Sequence, residues 1–290
     1  MMGKIDWVIL DVDGVLLGEK QDFNYPHPHD KVIEALAAAR KSGVQVTLCT
    51  GKPYFSMEKI VRDAGLDGPH IGDNGSVIFD IFAGKAVAKK TISPKIATKI
   101  VSELLDSGVS LEVHDGTNYY FQKGNVNPDL LEKRIRLMHK PPIIVDSLAD
   151  AVKQKELTKI TAFAKDESEK PRVEKVYGKY ADKLSFIWNF VPVTNPVQYG
   201  MITAKGISKE YAVEEVAKVS GKRFDTALGI GDGMIDWKFI LLCHYGCAMG
   251  NAVPKLKELI KTKGAGNYFI APHVDDHGVI DAFMHFGILK

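Results

Sequence analysis

The stretch WVILDVDGVLL, Trp7 to Leu17, sets an apolar run against two acids one residue apart, Asp11 and Asp13. Residues 5–10 (IDWVIL) read as a strand buried on both faces, because the run does not alternate between apolar and polar positions. Side chains two apart on an extended segment share a face, so Asp11 and Asp13 can look into one cleft. Gly14 then lets the chain turn away. Ligands of open parallel sheets gather at the carboxyl ends of the strands, which is where these acids fall.

Beyond this run, residues 29–42 carry apolar positions 32, 33, 36 and 39 at helical spacing, and Gly43 follows where a helix ends. A second strand is expected at 44–49 (VQVTLC) and a second helix at 54–64. Strand, helix, strand, helix at this spacing points to a parallel sheet with crossover helices. The pattern returns towards the other end. Helices are expected at 207–219, 234–242 and 254–262, with strands at 226–230, 245–249 and 267–271. The middle reads differently: helix 93–107, strands 109–114 and 118–122, helix 128–139, strand 159–164, helix 168–181, strands 184–191 and 197–202. The expected architecture is α/β, a doubly wound parallel sheet split by an α+β insertion. The core would comprise 1–82 and 197–290, the insertion 83–196, with IFAGK (81–85) and NPVQYG (195–200) as the junctions.

Composition narrows the classes. Of 290 residues, 45% are apolar, enough for a sizeable core, and Lys+Arg total 38 against 36 Asp+Glu. That balance, without a basic stripe, does not call for nucleic acid. The three cysteines, Cys49, Cys243 and Cys247, make a disulfide framework a poor reading. Cys243 and Cys247 are four apart, which would put them on one helix face, as small buried apolar residues. No secretory leader and no run near the roughly 20 apolar residues of a membrane span is visible. A cytoplasmic protein with no membrane partner is expected; the oligomeric state is not legible.

Four stretches cluster at the expected strand ends: DVDG (11–14), TGKP (50–53), TAKG (203–206) and GDGMID (231–236). Asp232 and Asp236 have helical i, i+4 spacing and can face the same cleft. Four carboxylates in one pocket repel; a hard divalent cation with oxygen ligands relieves this, and Mg²⁺ suits a site with few carboxylates and a substrate phosphate. Asp11 as the cap of a turn and Asp232 as a helix cap are the plainer alternatives. Thr50 and Gly51 precede Pro53 at a helix start, whose free N–H groups suit a phosphate, although Thr50 also fits an ordinary N-cap. Lys205 is the candidate cationic partner for phosphate and nucleophile, since it stands before a glycine and a helix. His27 and His29, in a proline-rich loop, suggest no metal site.

Taken together, these motifs resemble the haloacid-dehalogenase-like (HAD) superfamily, and most closely its Cof-type phosphatase branch, which carries a large C2-type cap. DVDG is similar to the first family motif, TLCTGKP to the second, Lys205 in TAKGISKEYAVEEV to the third and GDGMID to the fourth; DNGSVI (73–78) and AMGNA (248–252) are softer matches. The resemblance covers about 11–80 and 200–285, whereas the insertion matches only in length and element order. It implies a Mg²⁺-dependent phosphatase of small phosphorylated metabolites, sugar phosphates foremost. Asp11 would be the nucleophile that becomes an aspartyl phosphate, and Asp13 the general acid and then the base. Thr50, Gly51 and Lys205 would hold the phosphoryl group. Asp11, the Asp13 carbonyl oxygen and Asp232 would bind Mg²⁺, with Asp236 supporting them.

Three positions depart from the pattern: Val15 where many relatives have Thr, Lys52 where the branch often has Arg, and Ile235 where many have Asn. A phosphomutase or narrow sugar-phosphate phosphatase of the same superfamily is the nearest alternative. A phospho-acceptor signalling domain or a DxD glycosyltransferase is an alternative of another class. In the insertion, His114, Tyr119, Tyr120, Arg134, Trp188 and Asn189 are candidate substrate contacts, each more readily explained by a surface or core role.

Overall fold

The computed structural model describes residues 3–190, 194 and 196–290. Along the chain it runs β1 (Trp7–Leu10), α1 (Asp30–Lys41), β2 (Gln45–Leu48), α2 (Tyr54–Ala64), β3 (Pro69–Gly72), β4 (Val77–Asp80) and β5 (Lys85–Lys89). Then follow α3 (Pro94–Asp106), β6 (Ser110–His114), β7 (Tyr119–Gln122), α4 (Pro128–Met138), β8 (Ile143–Val145), α5 (Leu148–Ala151), β9 (Lys159–Ala164), α6 (Lys170–Tyr177), β10 (Leu184–Phe190) and β11 (Gln198–Ala204). The chain closes with α7 (Lys209–Ser220), β12 (Ala227–Gly231), α8 (Met234–Leu242), β13 (Tyr245–Ala248), α9 (Pro254–Leu259), β14 (Tyr268–Ile270) and α10 (Gly278–His285).

Two compact units result. The first comprises Met1–Gly51, Met57–Val87 and Ser208–Lys290; the second comprises Lys52–Ser56 and Ala88–Ile207. In the first unit a five-stranded sheet has the order β14-β13-β12-β1-β2, with every pairing parallel. Trp7, Val8, Ile9 and Leu10 are all fully buried, so β1, flanked by β12 and β2, is an inner strand of the core sheet. Each such side chain stabilises the fold by roughly 1.5–3 kcal/mol. Register fixes where these strands stop: Leu10 pairs with Ile230 on one side and with Leu48 on the other. The three strands therefore end level, and Asp11, Gly231 and Cys49 emerge together.

β3, β4 and β5 form a separate three-stranded sheet, of which β3, β4 and the start of β5 belong to the first unit, joined to the end of β2 by a bridge between Cys49 and Ile71. IFAGK (81–85) is the turn between β4 and β5, so it is not a junction; the chain leaves the first unit after Val87.

The second unit is a six-stranded sheet in the order β10-β11-β9-β6-β7-β8, packed on α3 and α6 through residues such as Ile100, Leu104, Val113, Ile160, Val173 and Ile202. β11 pairs with β10 from Leu184↔Ala204 to Phe190↔Gln198 and with β9 on its other side. It therefore belongs to this unit, and the expected return to the core at 197 is corrected to 208. Of NPVQYG, Asn195 lies outside the described residues, and Gln198–Gly200 open β11. Residues 191–193, expected in part as a strand end, also lie outside them.

Cys243 is the C-cap of α8 and Cys247 lies on β13, so they do not share a helix face, although all three cysteines are buried and free. No helix among the described residues is long and apolar enough to cross a membrane.

Candidate active site

The level ends of β1, β12 and β2 bring four side chains of the first unit together. Carboxylate oxygens of Asp11, Asp232 and Asp236 all lie within 4.8 Å of one another. Lys209, on the first turn of α7, sits among them: its Nζ is 2.7 Å from Asp11 Oδ2 and 2.7 Å from Asp236 Oδ1. Its residue surface is only 4% exposed, so this ammonium cannot be a solvated charge.

Each carboxylate is oriented by its own loop. Asp11 Oδ1 accepts the Val12 N–H at 2.7 Å. Asp236 Oδ2 accepts the N–H groups of Asp232 at 3.2 Å and Gly233 at 3.1 Å, closing the start of α8 as a capping box does. With Lys209 on its other oxygen, Asp236 is fully engaged. The cap at this helix start is thus made by Asp236, not by Asp232 as the plainer reading had it. Asp232 lies against the turn after β1: a Cβ at Gly14 would stand 2.1 Å from its Oδ2. Gly14, at φ +75°, is therefore required twice, for its backbone angle and for that close approach.

The charge balance is lopsided. Burial pushes the Asp11 carboxyl up to about 7, with Asp236 and Asp13 adding to the shift and Lys209 opposing it. Asp232 is likewise raised well above the usual carboxylate range, by burial first and then by Asp236 and Asp11. Lys209 is held far above the ordinary lysine value, because Asp11 and Asp236 outweigh the opposing effect of burial. Three acids around one ammonium leave negative charge unbalanced, and the donors are all hard oxygens. The residues present fit a divalent cation of the Mg²⁺ type.

Asp13 is outside the group of three, and its charge adds the smallest of the contributions that raise Asp11 and Asp232. Thr50 is buried, its N–H donating to Ile71 O at 3.0 Å and its carbonyl accepting the Asn74 N–H at 3.1 Å. Gly51 comes next, half-buried.

One expected residue is corrected. Lys205 is exposed, belongs to the second unit, and donates to the Ala181 carbonyl. Gly206 continues a turn there, and α7 does not begin until Ser208, whose side chain accepts the Tyr211 N–H as N-cap. That start puts Lys209, not Lys205, at the carboxylates. Gly75 secures the same point from the other side, since a Cβ there would meet Ser208 O at 2.3 Å. Two signals in the sequence bear on this, the Ser-Lys pair at a helix start and the DNG turn.

The candidate contacts of the insertion are engaged within the second unit. Glu112, fully buried, accepts from Arg134 Nε at 2.9 Å and lies 2.7 Å from His114 Nε2. Burial works to raise its carboxyl, but Arg134 and His114 win and hold it below the usual range. Tyr119 OH donates to Lys140 O at 2.5 Å, Tyr120 OH to Asp115 Oδ2 at 2.6 Å, and Trp188 Nε1 to Glu174 Oε1 at 2.8 Å. Asn189 is half-buried on β10. Lys52 and Ser56 join this unit through the Leu137 and Met138 carbonyls, at 3.3 Å each.

Comparison with known proteins agrees with this geometry. The sequence profile of the haloacid dehalogenase-like hydrolases matches residues 8–283. The chain is 25% identical over 283 residues to the putative phosphatase YkrA of Bacillus subtilis, covering 98% of each. It is 26% identical over 259 residues to the pyridoxal phosphate phosphatase YbhA of Escherichia coli, covering 86% of this chain and 89% of that one. Among solved structures, the HAD subclass IIB sugar phosphatase BT4131 superposes with a TM-score of 0.76 at 22% identity, covering 98% of this chain and all of that one. Because the profile runs through both halves of the first unit and across the insertion between them, the chain belongs to the haloacid dehalogenase-like hydrolase family.

Proposed function

We propose that this phosphatase hydrolyses monoesters of small phosphorylated metabolites, sugar phosphates foremost, by way of a phosphoryl group carried on Asp11. The observation that supports it most is the placing of Asp11 at the end of the buried inner strand β1, bonded to Lys209 at 2.7 Å and adjoining Asp232. The named relatives act on pyridoxal phosphate and on a sugar phosphate, both small monoesters.

An Asp11 oxygen attacks phosphorus while the ester oxygen leaves. Lys209 and the Val12 N–H hold the carboxylate in one orientation, so little reorganisation precedes the attack. Asp13 gives the leaving oxygen its proton. It then takes a proton from water, which attacks the acyl phosphate, frees inorganic phosphate and restores Asp11. Thr50 and the Gly51 N–H hold the phosphoryl oxygens, and Lys209, not Lys205, supplies the fixed positive charge. Asp11, Asp232 and the Asp13 carbonyl oxygen, with Asp236 behind them, would hold Mg²⁺, which would supply positive charge against the phosphate dianion.

The test is phosphate release from a panel of phosphorylated sugars and cofactors, with Mg²⁺ and after exhaustive chelation. Release of inorganic phosphate with Mg²⁺ alone is expected. Full turnover after chelation, or transfer of the phosphoryl group to a second sugar position without free phosphate, would contradict the reading.

A further inference from the structure

Asn251 stands in the turn after β13, and each end of its side-chain amide meets a backbone group that dictates its orientation. The Val274 N–H donates to Oδ1 at 3.0 Å, and Nδ2 donates to the Gly14 carbonyl at 2.8 Å. Turning the amide over would set N–H against N–H and oxygen against oxygen, so only one orientation satisfies both ends. The same turn also grips the other carboxylate segment. The Met249 N–H donates to Gly231 O at 3.1 Å and the Val253 N–H to Asp232 O at 3.0 Å.

Gly14 is where the two segments touch. Its N–H donates to Leu17 O at 2.8 Å, its carbonyl is taken by Asn251, and the space a Cβ would need is filled by Asp232. Both peptide planes flanking Gly14 are thus pinned, and one of them carries the Asp13 carbonyl.

We infer that Asn251 is a positioning residue. By fastening the Gly14 carbonyl to the turn that holds Asp232, it sets the spacing between the Asp11–Asp13 segment and Asp232, and through that spacing the affinity for a divalent cation. It touches neither substrate nor cation. The inference rests on the proposal that these residues bind a metal. Loss of an outer partner of this kind typically weakens metal binding by about 10–100-fold.

Asn24 provides the control. It is fully buried, its Nδ2 donates to Val274 O at 3.1 Å and its Oδ1 accepts the His29 N–H at 3.1 Å. It holds the same Val274 residue as Asn251 but has no bond to Gly14.

The experiment measures Mn²⁺ binding by electron paramagnetic resonance of the free ion, together with the Tm of each protein in EDTA. Asn251→Leu keeps the approximate shape and removes both bonds; Asn251→Ser removes the reach to Gly14 and serves should the first variant fail to fold. Both are expected to bind Mn²⁺ about 10–100-fold more weakly than the wild type. Asn24→Ser is expected to lose a similar amount of Tm and to keep wild-type affinity. Wild-type affinity in the Asn251 variants would overturn the inference, as would an equal loss of affinity in Asn24→Ser. A wild type that binds no Mn²⁺ would instead sink the metal reading itself, and this inference with it.

Discussion

Lys209 bonds to two of the three acids it lies among, and the alternatives for its role separate cleanly. Replacing it with Met leaves Asp11 and Asp236 buried with no opposing charge, and the phosphoryl group without its fixed cation. Lys209→Met is expected to lower phosphate release by at least about 10²-fold, while Lys205→Met, on an exposed turn, leaves it near the wild-type value. The reverse outcome in a phosphate-release assay would mean the cation had been misplaced. This pair also marks where the sequence stops being readable. The acids are legible because D-x-D-G and G-D-x-x-x-D carry their own spacing onto a strand end and a helix start. The lysine is not, because TAKGISKEYA offers two, and the choice depends on where β11 stops. That limit is set by pairing with β10, the strand just before it, and with β9, both outside the motif itself. Asn251 was visible only as part of AMGNA; its partners Gly14 and Val274 are 237 and 23 residues away.

At the level of elements, α8 at 234–242, α2 at 54–64 and β9 at 159–164 match the expectation to the residue. Apart from α10, which has eight residues and a buried face, the elements that went unread are short or exposed. β5 (KAVAK) is mostly exposed and shows no buried face, and β8 and α5 have three and four residues. β3 is four residues long, yet it carries a side chain on which the placing of β2 depends. His70 is fully buried; its Nδ1 accepts the Leu48 N–H at 3.1 Å, and its Nε2 lies 3.2 Å from Leu66 O. Those partners require the neutral ring protonated at Nε2, because a second proton would meet the Leu48 N–H. Burial lowers the imidazole from 6.5 to about 4. Below pH 6.5 the unfolded chain takes up a proton that the folded chain refuses until about pH 4, so stability falls with pH across that window and levels off beneath it. The effect amounts to roughly 3 kcal/mol. Denaturant unfolding at pH 7.5 and 4.5 is expected to show a larger acid loss in the wild type than in His70→Asn, by about that amount. Equal losses would show that His70 does not titrate on unfolding.

For the whole molecule, the division into two units makes a prediction about fragments. The second unit has its own core and a complete sheet only if β11 is included, since β11 lies between β10 and β9. A fragment spanning 88–207 is expected to unfold cooperatively by circular dichroism. The fragment 83–196, drawn where the sequence alone would cut, removes that inner strand, leaves β10 without a partner, and is expected to show no cooperative transition. Cooperative unfolding of both would mean that β11 is dispensable to the unit. The first unit has no comparable single fragment, because β1 is paired on one side with β2 and on the other with β12, from opposite sides of the insertion.

The proposed mechanism stands or falls on the division of labour between Asp11 and Asp13, which intact-mass measurement after rapid quenching can resolve. With p-nitrophenyl phosphate the leaving group needs little protonation, so Asp13→Asn can still complete the first step but lacks the base for the second. Asp13→Asn is expected to release a burst of nitrophenol and to gain the mass of one phosphoryl group, while Asp11→Asn shows neither. Loss of the burst and of the added mass in Asp13→Asn, or the appearance of either in Asp11→Asn, would refute that division.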